Sequence, residues 1–459
     1  MSNKMHKATR GISRRRFLQF SSMTATAVLL AACPAAAPAP SAGGDGGAGT
    51  EETIEVEAWA HWEQGLDWLD NAMTDFGFYD ENPNISFKKT VAPFSEIHDK
   101  MLAACASGVG LPDIMRVEQG RAAAFFKGEE ICFVEMNDLI GDRMDNLVPG
   151  SATDYWTWQG KIYGIGNEVN ACTLAYRKSV FDEVGIKTPF ETWQEVREAG
   201  FALKEAKPDM SIISWHDLHD GDFQMMLFNA GEQMFLEDGN FGGMNDIGKE
   251  ILEFQRGMIH DDEIAITAPN ATGSTWGSPI FWEAFRQDQV ATVMGAPWFN
   301  GKLGRENLIG PSQEGEWRLQ ALPNGFGADV PTATHGGTSV SIPKGAANVE
   351  AAWSIIEFTH LTDAVLQDVI ERGIIPSWIP AIENELVQEP YDYYAGQNTG
   401  ALYLELAESM PRIFQSPWAP EFHTAFTNLV ITPVIQENAS DYDALFDELG
   451  IELERIKSL

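Results

Sequence analysis

His216, Asp217, His219, Asp220 and Asp222 place five potential metal donors within seven residues. A divalent ion takes such donors only when they converge on one point. The run Trp215 to Phe223 reads as a loop, where polar residues are ordinary, so no metal is assigned. His335-Gly336-Gly337 has the look of an oxyanion loop, yet no G-x-S-x-G nucleophile elbow accompanies it. The chain also lacks the G-x-x-x-x-G-K-[ST] phosphate loop, H-E-x-x-H and any paired C-x-x-C. Abundant Asp and Glu leave a carboxylate pair for glycoside hydrolysis open. No catalytic residue, cofactor or metal is assigned.

The other residues with chemistry to offer are aromatic and polar side chains, which can supply stacking faces and hydrogen bonds to a ligand. Fourteen Trp supply the faces. Trp59, His61, Trp62 and Glu63 close the first strand-like run, and Glu118, Gln119 and Arg121 follow another. In open α/β sheets, ligands bind beyond the carboxyl ends of the strands. Trp378 and Trp418 stand in Pro-flanked loops, placed either to stack or to plug. Trp68, Trp193 and Trp353 sit on apolar helix faces or at a helix entry and read as structural. Trp276 and Trp282 receive no role.

The elements that position these residues follow from periodicity. Ile54 to Trp59 alternates with period two, as a half-buried strand does. A helical stretch from Gly65 to Phe76 follows, then the turn Glu81-Asn82-Pro83-Asn84 and a strand at Ile85 to Val91. A helix over Ser95 to Ser107 leads to a short strand at Leu111 to Met115. Strands spaced by helices predict an α/β body with a mostly parallel sheet. Ser440 to Asp443 has the form of a capping box, and Leu445, Leu449, Leu453 and Ile456 mark one face of a final helix.

Composition bounds the function further. The 459 residues carry 31 Lys+Arg against 67 Asp+Glu, a formal charge of −36. A basic nucleic-acid-binding face is excluded on sign, and anionic ligands are disfavoured. With 44% hydrophobic and 11% aromatic residues, the chain is too apolar for disorder. Residues 1–32 hold Lys4, Lys7, Arg10, Arg14, Arg15 and Arg16 but no acid, and end in a short apolar stretch. That is the form of an export signal, too short for a span of roughly 20 apolar residues. Ser13-Arg14-Arg15-Arg16-Phe17-Leu18 resembles the twin-arginine signal. Leu30-Ala31-Ala32-Cys33 resembles the bacterial lipobox, implying cleavage before Cys33 and lipidation of its thiol. Cleavage would remove six of the 31 basic residues and no acid, taking the charge from −36 to −42. Residues 33–52 are mostly Pro, Ala, Gly and Ser and read as a flexible tether. Cys105, Cys132 and Cys172 allow at most one internal disulfide, and buried thiols are the reading preferred.

Four segments in order carry a resemblance: Gly110 to Ile114; Gly160 to Ile165 with Leu174 to Phe181 and Gly185 through Trp193; Asp288 to Val293 with Gly295-Ala296-Pro297-Trp298; and Gly337 to Pro343 followed by Asn348 to Phe358. Together these resemble the extracellular solute-binding proteins of family 1, the sugar-binding components of ABC importers. One departure is Gly166, where that family places a proline after Tyr-Gly-Ile. The resemblance implies a two-lobed periplasmic-binding-protein-like fold of type II, with the ligand held in the cleft between the lobes. It implies chain crossings near Glu168–Ala171, His335–Thr338 and Gly373–Pro376. The lobes would then be residues 53–168 plus 336–373 and residues 169–335 plus 374–459. It further implies a sugar-stacking role for Trp298, and polar contacts from Glu118, Gln119 and Arg121. Glu168 and Asn170 would line the cleft floor, and Trp215, Asp222 and Phe223 would come from the second lobe. The expected partners are a carbohydrate, an ABC permease and a membrane reached through the lipid, with the protein itself monomeric. A cationic solute such as a polyamine, and an exported carbohydrate-active hydrolase, are the alternatives.

Overall fold

The computed structural model describes residues 53–128, 130–269 and 279–458, with side chains undescribed at Leu303, Asn307 and Leu308. The signal segment 1–32, the tether 33–52, Cys33 and Trp276 lie outside the described residues.

Among the described residues twelve strands build the frame: β1 (Ile54–Ala60), β2 (Ile85–Val91), β3 (Ile114–Glu118), β4 (Thr157–Trp158), β5 (Lys161–Ile162), β6 (Ile165–Gly166), β7 (Thr173–Arg177), β8 (Ile213–Trp215), β9 (Ala265–Thr267), β10 (Thr292–Gly295), β11 (Trp317–Gln320) and β12 (Thr338–Ser341). Five of them form a first sheet in the order β2-β1-β3-β12-β6. β1 pairs parallel with β2, Ile54 opposite Ile85 through Ala60 opposite Val91, and parallel with β3, Ala58 opposite Ile114. Its alternating side chains bury Val56, Ala58 and Ala60 completely, as the period of two requires. A second sheet, β10-β7-β11, is antiparallel throughout, and β8 and β9 form a parallel pair. The expected mostly parallel sheet is thus corrected: β12 returns to run antiparallel to both β3 and β6.

Helices cover the sheets where apolar spacing demands it. The helix Gln64–Asp75 buries Leu66, Trp68, Leu69, Ala72 and Met73, and it packs with Val349–His360 and Leu366–Arg372. The last helix runs Tyr442–Lys457 and buries Phe446, Leu449, Leu453 and Ile456. Its N-cap is Asp441, which accepts from Ala444 N at 3.2 Å, one residue later than the capping box at Ser440 implied. The run Ile131 to Val134 keeps a single bridge, Phe133 with Pro343. That bridge holds Cys132 against the last turn of the helix Phe94–Ser107, where it forms a disulfide with Cys105. The preference for three buried thiols is therefore wrong for this pair, and among the described residues Cys172 is the free, buried cysteine. Gly166 keeps β6 in register without the family's proline. Its N–H donates to Ala152 O at 2.7 Å, a bond proline could not make, and a Cβ there would lie 2.9 Å from Trp156.

Between β6 and β7 the chain leaves the first sheet for the second. Residues 167–172 pass through this gap flanked on both sides. Val169 N donates to Ile375 O at 2.7 Å and Ser377 N to Asn167 O at 3.0 Å, while Cys172 N donates to Ala333 O at 2.9 Å. Three segments far apart in sequence thus run side by side where the two sheets meet.

Candidate ligand-binding site

The carboxyl ends of β2, β1 and β3 carry one wall. Trp62, half-buried after β1, lies with its ring centre 5.0 Å from the Arg116 guanidinium and 5.8 Å from that of Arg372. Gly65 makes room for it: a Cβ there would approach the indole to 2.4 Å. His61 meets Trp62 at 4.0 Å between ring centres and His98 at 5.6 Å. His98 Nε2 in turn takes a 3.3 Å hydrogen bond from Glu118 N at the end of β3. Glu118 turns its carboxylate onto Gly120 N at 2.9 Å, starting the short helix Gln119–Ala122 that carries Arg121. Gln119 is tied to the opposite crossing through Gly337 O at 3.0 Å.

The second wall comes from residues 216–220 after β8, from the start of the helix Gly221–Asn229, and from the helix Ala419–Phe426. The run Trp215 to Phe223 is thus a loop only in its middle, ending β8 at Trp215 and opening a helix at Gly221. Asp222 accepts from His216 N at 2.7 Å and lies 2.6 Å from His216 Nδ1; Asp220 lies 2.6 Å from His423 Nδ1. Of the five donors noticed first in the sequence, His216 and Asp222 thus meet each other and Asp220 meets His423, while His219 Nδ1 accepts from Gly221 N at 2.8 Å and Asp217 Oδ2 from Gln436 Nε2 at 3.1 Å. Among the described residues no group of three or more His, Cys, Asp or Glu is arranged to hold a metal. His219 reaches His335 at 5.7 Å between ring centres.

The floor is the crossing itself. Trp298 follows β10 and donates from Nε1 to His335 O at 3.0 Å. Gly336, at φ +85°, is required here, because a Cβ would stand 2.5 Å from that nitrogen. Glu168 and Asn170 are both buried, at 7% and 1% exposure. Asn170 Oδ1, Thr334 Oγ1 and His61 Nδ1 are buried without a partner among the described residues. Such atoms are rare in folded proteins and call for an explanation.

The other sequence candidates fall elsewhere. Trp59 is buried, with its Nε1 bonded to Glu57 at 3.1 Å and Lys100 over its ring at 3.7 Å. Glu63 is exposed and serves the start of the helix Gln64–Asp75, accepting from Leu66 N and Asp67 N. Trp215 and Phe223 are core residues, packed on Trp193 and Phe426. Trp378 is buried and lines a separate hollow of about 490 Å³ with Phe76 and Phe358. Trp418 is half-buried with Lys127 4.7 Å over its ring, and Lys127 also pairs with Glu421. Sequence reasoning missed His98, Arg116, Arg372 and His423. It noticed His219 and His335 but separately, as metal donor and oxyanion loop.

Burial sets the charge states. It lifts the Glu118 carboxyl to about 7, although Gly120 N–H, Arg121 and His423 pull the other way. Burial likewise lifts Glu168 to about 7 against the attraction of Arg372 and Arg116. His61 and His335 are pushed down to about 3 by burial, with His98 and Arg116 adding to the first and His219 to the second. At His423 burial opposes the charged ring, but Asp220 prevails and raises it. The site thus brings together the His61 and His335 rings, held neutral, the protonatable Glu118 and Glu168, and the indole faces.

The model of bacterial extracellular solute-binding proteins matches residues 59–359. The chain belongs to that family. As an extracellular solute-binding protein it works outside the cytoplasm, and among the described residues no helix is long and apolar enough to cross a membrane. It is 24% identical over 391 residues to an arabinooligosaccharide-binding protein of Halalkalibacterium halodurans, covering 84% of this chain and 86% of the relative. It is also 24% identical over 360 residues to a lactose-binding protein of Rhizobium radiobacter, covering 76% and 81%. Among solved structures, the sugar-binding protein MalE from Xanthomonas citri superposes with a TM-score of 0.71 at 20% identity, over 88% of this chain and 97% of that one. The GacH receptor of Streptomyces glaucescens gives 0.70 at 17%, over 88% and 99%. The solute-binding protein therefore has the two-lobed α/β fold of this class.

Proposed function

We propose that this solute-binding protein captures a carbohydrate between its two lobes and delivers it to the membrane subunits of an ABC importer. The observation that carries the reading is the pairing of half-buried indole faces, Trp62 and Trp298, with polar atoms that lack partners among the described residues. Asn170 Oδ1, Thr334 Oγ1 and His61 Nδ1 are suited to sugar hydroxyls, and Glu118, Gln119, Arg121 and Glu168 add hydrogen-bonding capacity around them. The names of the relatives, which include binders of arabinooligosaccharide and lactose, point the same way.

In this account residues 53–168 plus 336–373 form one lobe and residues 169–335 plus 374–459 the other. The three side-by-side segments serve as the hinge, and closure about it is what the transporter reads. The protein acts as a monomer, exported through its twin-arginine segment and held to the membrane by a lipid on Cys33. A cationic ligand remains the rival, because acids and Trp faces suit ammonium groups too. Titration of the mature domain with a saccharide panel and with spermidine, followed by Trp fluorescence, separates the two. Saturable quenching by a sugar supports the proposal; saturation by spermidine with no sugar response overturns it. Release of reducing sugar from a bound oligosaccharide would favour a hydrolase instead.

A further inference from the structure

Behind Trp62 lies a buried polar circuit. Arg116 on β3 is 1% exposed, and its two hydrogen bonds go to neutral acceptors, Gly65 O at 2.7 Å and Asn167 Oδ1 at 2.9 Å. The other end of the Asn167 amide, Nδ2, donates to Asp368, which is buried as completely. Asp368 in turn accepts from Arg372, through Nε and through Nη2 at 2.6 Å. Both guanidinium groups lie beside the Trp62 ring, Arg116 at 5.0 Å and Arg372 at 5.8 Å from its centre, which closes the circuit. A buried ion network adds little to stability, because desolvation offsets most of its attraction. What this one does is fix geometry.

Two of these side chains stand at the ends of hinge segments. Asn167 opens the crossing 167–172, and its carbonyl accepts from Ser377 N on the neighbouring segment at 3.0 Å. Arg372 ends the helix Leu366–Arg372, from which the chain runs through Gly373 into that same segment. The Asn167 amide has one workable orientation, its oxygen toward a guanidinium and its nitrogen toward a carboxylate. A hinge absorbs lobe motion as dihedral changes in a few such terminal residues. Turning Asn167 pulls two charge-assisted bonds from their partners at once, and with them the cations beside the indole. We infer that Asn167 is a positioning residue that couples Trp62 to the hinge, so that a sugar stacked on the indole and the closed arrangement of the lobes favour each other. This rests on the carbohydrate reading and goes beyond it by naming the side chain through which binding reaches the hinge.

A double-mutant cycle tests the coupling. Calorimetric titration with arabinotriose, lactose and maltotriose measures affinity in wild type, Asn167→Ala, Trp62→Leu and the combined variant. Asn167→Ala should lose roughly tenfold in affinity beside an intact Trp62, and about threefold or less on the Trp62→Leu background. Asn167→Asp keeps the shape and the acceptor for Arg116 but turns a second carboxylate on Asp368. It should reproduce that pattern, and it carries the test where the alanine variant does not fold. Equal loss on both backgrounds would make Asn167 a structural residue of the hinge, and undiminished affinity beside an intact Trp62 would remove the coupling; either overturns the inference while sugar binding stands. If neither these sugars nor any other saccharide of the panel binds the wild type, the carbohydrate reading fails and the coupling falls with it.

Discussion

Two carboxyl groups, Glu118 and Glu168, keep their protons to higher pH than the same groups would in water. Glu118 and Glu168 are lifted to about 7 by burial. Between their ordinary range near 4.5 and that value, the folded protein binds protons that the unfolded chain lets go. Stability attributable to this pair therefore rises as pH falls through that window and declines as pH climbs toward 7. Asp220 and Asp222, held low by His423 and His216 against the effect of burial, act oppositely and lose their contribution only in stronger acid. The double variant Glu118→Gln/Glu168→Gln should thus flatten the profile, gaining about 2 °C over wild type at pH 8 and losing that advantage at pH 5. Parallel melting curves in calorimetry would contradict the assignment. Both glutamates were legible in the sequence, one by following a strand and one through the family resemblance. His423 was not, because its meaning comes from Asp220, 203 residues away. Trp215 misled for a related reason: it entered the site only through the resemblance, and the core that buries it is invisible in the local sequence.

Elements were read well where a local period determined them. β2 runs Ile85–Val91 as expected, the helix Phe94–Ser107 starts one residue earlier than expected, and the helix Gln64–Asp75 is shifted by one residue at each end. Strand direction was less legible, since β12 pairs with β3 and β6 through contacts no local pattern encodes. The same holds for the Cys105–Cys132 disulfide, which depends on a bridge from Phe133 to Pro343. It ties the helix bearing His98 to the segment that follows Lys127, and it closes a sequence separation of 27 residues. Replacing both cysteines by serine should cost about 3 kcal/mol of unfolding free energy. Denaturant titration checks this, and an unchanged midpoint would show that the bond contributes nothing to the folded protein.

At the scale of the whole molecule, an acidic body is joined by a Pro/Ala/Gly/Ser segment to a cysteine that the account lipidates. Cys33→Ala should move the protein from the membrane fraction to the soluble extracytoplasmic fraction; membrane retention equal to wild type would refute the anchor. Most of the acids form a solvated coat, and their bearing on function is narrow: they disfavour anionic ligands and leave the choice between neutral sugar and cation to the aromatic residues. Trp62 follows a strand of the first sheet and Trp298 a strand of the second, so a ligand stacked on both joins the two lobes. The decisive measurement is calorimetric titration of Trp62→Ala and Trp298→Ala with a saccharide that saturates the wild type, alongside their melting temperatures. The account predicts that each variant loses roughly tenfold or more in affinity while melting within a few degrees of wild type. Undiminished affinity in both, or a collapse in melting temperature that accounts for the loss, would contradict it.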